Sequence, residues 1–319
     1  MKKTARAHTN IALIKYWGKS DAKLRLPLMS SLSMTLDSFY TDTSLEKSQK
    51  DEFYLNGKLQ DGKQASRVFK YLDFLRGKYQ VDDYLTVKSI NHVPTAAGLA
   101  SSSSAFAALA VSFAAFYDLK LDKKQLSRLA RMGSGSASRS IYGGFAIWQK
   151  GNNDENSYAY ALDEKPNMDL HMLAIELNQK PKKLSSTQGM QDAISSPFYR
   201  PWIERNKLEI KEMISAIKAD DFTKLGELAE LNANEMHAVN FTSQPEFTYF
   251  EPNTIKAIKL VEELRSNGIE CYYTIDAGPN VKILTRLKNV KEIKKFFLSE
   301  FPNVNIVSAS FGPGACVLD

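Results

Sequence analysis

The chain has 319 residues, 43% hydrophobic and 24% charged, a balance that suits a soluble globular protein with room for two lobes. Its 42 basic and 36 acidic residues leave a net charge of +6 without a basic stripe, which suits a small polyanionic substrate rather than nucleic acid. No apolar run approaches the ~18 residues of a membrane span, and Arg6, His8, Asn10 and Lys15 interrupt any signal segment after Met1. Two distant cysteines, Cys271 and Cys316, argue against a disulfide framework or a zinc site and for a reducing, cytoplasmic setting.

From Lys3 to Lys19 the sequence reads K-T-A-R-A-H-T-N-I-A-L-I-K-Y-W-G-K. Ala5, Ala7, Ile11 and Leu13 alternate as strands do, with a break near His8-Thr9-Asn10. Tyr16-Trp17-Gly18-Lys19 then leaves the strand, either as a plain end with a snorkelling lysine or as a loop whose Tyr16 and Lys19 donate to an anion. Leu32–Leu36 and Thr41–Leu45 alternate again, and Phe53 to Lys58 runs into an Asn56-Gly57 hairpin turn. Lys63 to Tyr79 forms a helix with Val68, Tyr71, Leu72 and Leu75 on one face and Arg67 near its start.

Asn91 to Ala105, N-H-V-P-T-A-A-G-L-A-S-S-S-S-A, follows a strand-like run (Leu85–Ile90) and opens an alanine-rich helix. Pro94 and Gly98 make it a loop. Serines then stand at the helix start, where free N–H groups and hydroxyls at the positive end of the dipole suit phosphate. An ordinary serine-capped helix is the alternative. Phe106, Leu109, Ala110, Phe113 and Tyr117 face a core behind it.

A helix over Lys123–Met132 ends at Gly133-Ser-Gly-Ser-Ala-Ser-Arg139, either a flexible linker or a grip for phosphate or carboxylate. Ser140–Trp148 reads as a glycine-bent strand, Met172–Leu177 as a core strand and Pro181–Met190 as a basic loop able to close over a nucleotide. Beyond Ser195 come helices with apolar stripes at Ile210/Met213/Ile217, Phe222/Leu225/Ala229 and Ala257/Leu260/Leu264, the last capped by Asn267-Gly268. His237 reads as structural. A strand from Cys271 then delivers Asp276 to the turn Ala277-Gly278-Pro279, as a turn former or as a functional acid. A helix (Val290, Ile293, Phe297) and a final strand pair close the chain.

Four of these segments, in order from Ala5 to Val281, resemble mevalonate diphosphate decarboxylases of the GHMP kinase superfamily. P-x-x-x-G-L-x-S-S is similar to the superfamily's phosphate loop, and A-R-A-H with N-I-A-L-I-K-Y-W-G-K to the decarboxylase N-terminal signature. G-S-G-S-A-S-R resembles the substrate loop, with serine at Ser138 where cysteine also occurs, and D-A-G-P-N-V the motif carrying the catalytic aspartate. The resemblance implies an α+β, GHMP-kinase-like two-lobe fold with mixed and antiparallel sheets. Residues 1–184 would form the ATP-binding lobe and residues 185–319 a lobe of helices on an antiparallel sheet.

It also implies the chemistry: ATP- and Mg2+-dependent decarboxylation of mevalonate 5-diphosphate to isopentenyl diphosphate, in a homodimer, with no nucleic acid or membrane involved. Asp276 and Lys19 are the implied catalytic pair, the lysine close enough to keep the aspartate ionised. Tyr16, Trp17, Gly18, Lys19 and Arg67 are implied substrate contacts, with Ser134, Gly135, Ser136, Ala137, Ser138 and Arg139 from the second loop and Ser186 and Thr187 from the S-S-T-x-G-M segment. Pro94, Ala97, Gly98, Leu99, Ala100, Ser101 and Ser102 are implied at the nucleotide, with Lys183 or its neighbour Lys182, and Ser102 at the metal. A kinase that stops after phosphorylation, a decarboxylase of the monophosphate and an inactive binding homologue are the competing readings. Tyr16–Lys19 together with Asp276 weigh against a simple kinase.

Overall fold

The computed structural model describes residues 2–92, 101–180 and 183–318. Pro94, Ala97, Gly98, Leu99 and Ala100, expected at the nucleotide, lie outside the described residues, as does Lys182. The chain begins with β1 (Lys2–Ile14), a short hairpin of β2 (Lys19–Asp21) and β3 (Leu26–Pro27), and the long β4 (Ser31–Ser48). Then follow β5 (Glu52–Leu55), β6 (Lys58–Leu59), α1 (Gly62–Tyr79), β7 (Tyr84–Asn91), α2 (Ser101–Phe116) and α3 (Lys123–Gly133). A 3-10 helix (Gly135–Ile141) leads to β8 (Phe145–Trp148), β9 (Ala159–Asp163) and β10 (His171–Glu176). The remainder is α4 (Ser186–Ala193), α5 (Tyr199–Lys218), α6 (Phe222–Phe241), α7 (Pro252–Ser266), β11 (Cys271–Ile275), β12 (Val281–Thr285), α8 (Leu287–Glu300), β13 (Asn305–Ala309) and β14 (Cys316–Val317).

The first sheet has the order β14-β1-β4-β7-β5-β6, with β8 and β9 attached to β4. It is antiparallel except for the β5–β7 pair. The expected break near His8-Thr9-Asn10 is a register shift within a continuous β1; an inserted residue bends a strand without ending it. Asn56 and Gly57 both have positive φ (50° and 78°), the conformation that a two-residue hairpin turn demands. The second sheet, β11-β12-β10-β13, is wholly antiparallel. Three of its four strands, β10, β11 and β12, are buried almost throughout, because α7 and α8 cover one face and α6 packs on the other. Lobe membership does not follow chain order. β10 joins the second sheet, and β14 returns to pair Ala5 with Val317 in the first.

α2 was expected to bury one face and buries nearly all of its surface, Ser103, Ser104 and Ser112 included. β1, β4, α3 and the 3-10 helix surround it, and its small alanines and serines let backbones come close on every side. A helix apolar all round is a core helix. One apolar cluster joins the two sheets: Ile11, Leu13 and Met34 from the first meet Met172, Tyr272 and Leu284 from the second, with Met213 and Leu225 of α5 and α6. The ends of β1 and β11 are thereby brought together.

Candidate active site

Lys15 follows the last residue of β1 and Asp276 the last residue of β11. Lys15 is 1% exposed. Its ammonium donates to Asp276 Oδ1 (2.8 Å), Thr274 Oγ1 (2.6 Å) and the Ala12 carbonyl (2.9 Å), which uses all three protons. Burial alone would raise the Asp276 pKa, but Lys15, Lys282 and Arg139 outweigh it and hold the carboxyl below the usual carboxylate range. Burial lowers the Lys15 pKa, and Asp276 offsets part of that. Asp276 keeps 24% of its side chain accessible, so the carboxylate is partly open to solvent while its cation lies inside. Lys19 was expected as this partner. The lysine in contact is Lys15, and the charged neighbours of Lys19 are Arg25 and Arg67.

Arg139 lies in the 3-10 helix, 2% exposed. Its guanidinium donates to Ser33 Oγ (2.9 Å), to Asn10 Oδ1 (3.1 Å from Nη2) and to Ser31 Oγ. Asn10 in turn donates to Ser140 Oγ at 2.8 Å and to the Ser136 carbonyl at 3.0 Å. Among the described residues no carboxylate touches Arg139, and burial pushes its pKa down to about 10 against the pull of Asp276. The Tyr16 hydroxyl is also buried and has no hydrogen-bond partner among the described residues. Its ring lies 4.7 Å from Trp148. A Cβ on Gly135 would sit 2.9 Å from both rings, so glycine is what lets the second loop close on them.

Beyond these lie Lys19, Arg25 and Arg67. Burial lowers all three pKa values; Arg25 and Arg67 lower that of Lys19 further, and Arg25 that of Arg67, which reaches about 10. None of the three makes an ion pair among the described residues. Arg67, open to solvent along one side, donates to the Gly133 carbonyl at 3.0 Å and packs over Phe106. Next to that carbonyl, the Ser134 hydroxyl is 3.1 Å from Ser102 Oγ at the start of α2 and 3.4 Å from Ser136 Oγ. The start of α2 and the second loop are therefore in direct contact. Ala137 and Ser138 are fully buried, and Ser138 donates to the Gly135 carbonyl at 2.7 Å, so these two side chains build the turn and do not face solvent.

The Tyr16–Lys19 loop divides in the same way. The Trp17 indole is 2% exposed and donates to Asn240 Oδ1 at 2.9 Å, so of this expected substrate-contact residue the side chain faces the core. Gly18 has φ of +127°, and a Cβ there would meet the Tyr199 hydroxyl at 1.8 Å. That hydroxyl donates to the Trp17 carbonyl at 2.6 Å, so the close approach is part of what holds the loop. Ser186 and Thr187 begin α4 where a loop was expected; Ser185 caps the helix by accepting from Gln188 N at 3.2 Å. Gly189 of α4 packs against Tyr249 and Trp17, which sets Ser186 and Thr187 on the same side of the molecule as the loop, with Lys183 exposed before them.

Two family models divide the chain. The diphosphomevalonate decarboxylase-like N-terminal domain matches residues 7–159, and the mevalonate 5-diphosphate decarboxylase C-terminal domain matches residues 172–313. A diphosphomevalonate decarboxylase of Ganoderma lucidum is 37% identical over 97% of this chain and 84% of its own length. The chain belongs to the diphosphomevalonate decarboxylases. Among solved structures, the Staphylococcus aureus mevalonate diphosphate decarboxylase is 45% identical, with a TM-score of 0.96 over 100% of this chain and 98% of that one. A structure of MDDEF in complex with MVAPP, AMPPCP and magnesium is 44% identical, with a TM-score of 0.95 and coverage of 100% and 99%. The enzyme shares their mixed α+β, GHMP-kinase-like fold.

Lys15, Arg25, Thr274 and Lys282 are site residues that the sequence reading missed. A signal existed for one of them: a lysine inside the apolar run I-A-L-I-K must be paired if the strand is buried.

Proposed function

We propose a division of labour among these residues for the family's reaction, the ATP-dependent decarboxylation of mevalonate 5-diphosphate to isopentenyl diphosphate, which is this enzyme's activity. The observation that carries it is Asp276, a carboxylate kept ionised by Lys15, Lys282 and Arg139 and partly open to solvent. The substrate's 3-hydroxyl oxygen takes the γ-phosphoryl group of ATP, and ADP leaves. The C3–O bond then breaks with loss of phosphate, carbon dioxide departs, and the electron pair of the C1–C2 bond becomes the C2=C3 double bond.

A carboxyl with a lowered pKa is a weak base. A loose phosphoryl-transfer transition state needs little more, because the hydroxyl proton leaves late. Asp276 therefore orients the hydroxyl, receives its proton at the end of transfer, and as an anion stabilises positive character at C3. Arg139 and the Tyr16 hydroxyl hold the substrate near its carboxylate, where a guanidinium without a carboxylate of its own is available. Lys19, Arg25 and Arg67, with Ser134 and Ser136, take the diphosphate. Ser101 and Ser102 belong to the nucleotide side, with Lys183 approaching from the segment before α4 and Ser186 and Thr187 from its first turn. In this reading residues 1–184 bind the nucleotide and residues 185–319 bring Asp276.

The MDDEF structure holds magnesium together with its nucleotide analogue. Among the described residues no three or more His, Cys, Asp or Glu converge as ligands. That fits an ion carried by phosphates and a hydroxyl, as magnesium prefers. Ser102 would hold it, and when bound it supplies charge neutralisation to the transferring group. The enzyme is read as a cytoplasmic homodimer; both cysteines are free, which supports the compartment, and the dimer rests on the resemblance alone.

The test is Asp276→Asn, with ADP and carbon dioxide release measured together on mevalonate, its monophosphate and its diphosphate. Turnover of the diphosphate falls by roughly 10²–10⁴-fold with binding much less affected. A folded variant that keeps parental turnover overturns the assignment, and equal use of free mevalonate by the parent overturns the role of the cation cluster.

A further inference from the structure

β1 ends at Ile14, so the Lys15 amide is left without a ladder partner. It donates instead to Asn232 Oδ1 at 2.7 Å. Asn232 lies on α6 with no exposed surface, and its Nδ2 donates to Glu209 Oε2 of α5 at 2.6 Å. Both ends of the amide are thus specified: the oxygen faces a backbone donor, the nitrogen a carboxylate, and a flip would break both bonds. Glu209 is itself 3.3 Å from Arg205 Nη2, and Arg205 Nε pairs with Glu235 at 2.7 Å.

About two helical turns further along the same face, Asn240 accepts from the Trp17 indole at 2.9 Å. Between them, His237 Nε2 lies 3.3 Å from the carbonyl of Ile275, the residue before Asp276. α6 therefore grips the chain on both sides of the Lys15–Asp276 pair while none of these three side chains is a member of it.

We propose that Asn232 is a positioning residue for the decarboxylation: by fixing the Lys15 backbone it sets where the Lys15 ammonium meets Asp276. The inference rests on the roles given to Lys15 and Asp276 above. Its physical basis is reach. The Lys15 ammonium is held by three acceptors, two of them on β11 and the turn after it, so any drift of the Lys15 backbone must be absorbed by the ion pair or by the Tyr16–Lys19 loop. A displacement of this kind is enough to misalign reacting groups.

Two double variants separate positioning from stability. Asn232→Asp with Glu209→Gln reverses donor and acceptor between the two side chains while leaving an acceptor for the Lys15 amide. Asn232→Leu with Glu209→Met removes both polar groups and leaves that amide without one. Turnover at saturation, KM for ATP and for the diphosphate, and melting temperature are measured for each, beside Asp276→Asn. The polar swap keeps turnover within about threefold of the parent, while the apolar pair loses on the order of ten- to a hundredfold in kcat with both KM values little changed. A loss of folded protein also lowers apparent kcat with KM unchanged. Turnover is therefore expressed per folded molecule, with the folded fraction at the assay temperature taken from each melting curve, and the loss in the apolar pair persists after that correction. Parental turnover in the apolar pair overturns the proposal, as does a polar swap that is equally impaired or does not fold. If Asp276→Asn keeps parental turnover, the underlying site assignment falls first; if it is inactive and the apolar pair is not impaired, only the role of Asn232 falls.

Discussion

Arg131 and Arg139 stand close together in the sequence and both are buried, at 0% and 2% exposure, yet they are satisfied in opposite ways. Arg131 has a full ion: it pairs with Asp154 and donates to the Ser157 carbonyl. Among the described residues Arg139 has two serine hydroxyls and an asparagine oxygen as acceptors. Burying a charge without an ion pair is costly, which supports the proposed role of Arg139 in receiving a charge that arrives with the substrate. The lysines repeat the contrast. Lys15 is paired with Asp276 and holds down the pKa of the protein's own carboxylate, whereas Lys19 lies among Arg25 and Arg67 with no carboxylate paired to it among the described residues. On the proposed reading, the paired cation fixes the charge of the site's own carboxylate, and the cations without an ion pair among the described residues receive the substrate, Arg139 also adding to the field on Asp276.

The comparison breaks most visibly on the arginines. Arg139→Gln lowers turnover by roughly 10²–10³-fold, the usual loss of a group aimed at reacting charge, while its melting temperature changes little, because the relief of a buried charge without an ion pair is set against the loss of its attraction to Asp276. Arg131→Gln does the reverse. It leaves Asp154 and the Ser157 carbonyl short of a donor, costing about 1–3 kcal/mol, with turnover per folded molecule unchanged. Kinetics and thermal melts on the two proteins check this, and a stability loss in Arg139→Gln with normal turnover would erase the distinction.

The lysines sharpen it. Lys19→Met raises KM for the diphosphate by about ten- to a hundredfold, the worth of one charge-assisted bond, with a smaller change in kcat. Lys15→Met acts on pH dependence. Lys15 now holds the Asp276 pKa down, so its removal raises that pKa and moves the acid limb of the rate profile to higher pH, against the remaining charge of Lys282 and Arg139 and beside neutral His237. An acid limb that stays in place in Lys15→Met, or moves instead in Lys19→Met, reverses the assignment of the two residues.

Much of this was legible beforehand, for identifiable reasons. Local signals carried the Asn56-Gly57 turn, the helix with Val68, Tyr71, Leu72 and Leu75 buried, and the strand–turn that presents Asp276. Motifs marked the right segments but not the orientation of each side chain. Within Y-W-G-K, Tyr16 turns to the site and Trp17 to the core, a choice made by Asn240 and Tyr199 far along the chain. Lys15 was missed as the partner of Asp276 because the two lie 261 positions apart and meet only where one strand of each sheet ends. Arg25, in a short exposed-looking hairpin, has no local pattern that separates it from a solvated residue. The first turns of α4 were read as loop because serine, threonine and glycine favour turns; packing of Gly189 against Trp17 and Tyr249 overrides that.

The smallest expected effect concerns the paired class where it includes an excess anion. Glu235 and Glu209 both lie against Arg205, and Glu235 Oε2 is buried without a donor. Burial and the neighbouring Glu209 push the Glu235 pKa up to about 7, so the carboxyl is protonated in mild acid and bridges to Glu209. A carboxyl whose folded pKa is raised contributes stability that is complete below its unfolded value and is lost as pH rises through the folded value. The window therefore runs from the ordinary glutamate range up to about pH 7, and the loss across it is of order 1–3 kcal/mol. Glutamine at this position donates to Glu209 at every pH and still accepts from Arg205. Glu235→Gln should match the parent near pH 5 and melt higher than the parent at pH 8, with turnover retained at both. Melting temperatures of the two proteins across that range decide it: an advantage that grows toward acid would mean that Glu235 is ionised throughout and that Arg205 compensates both carboxylates.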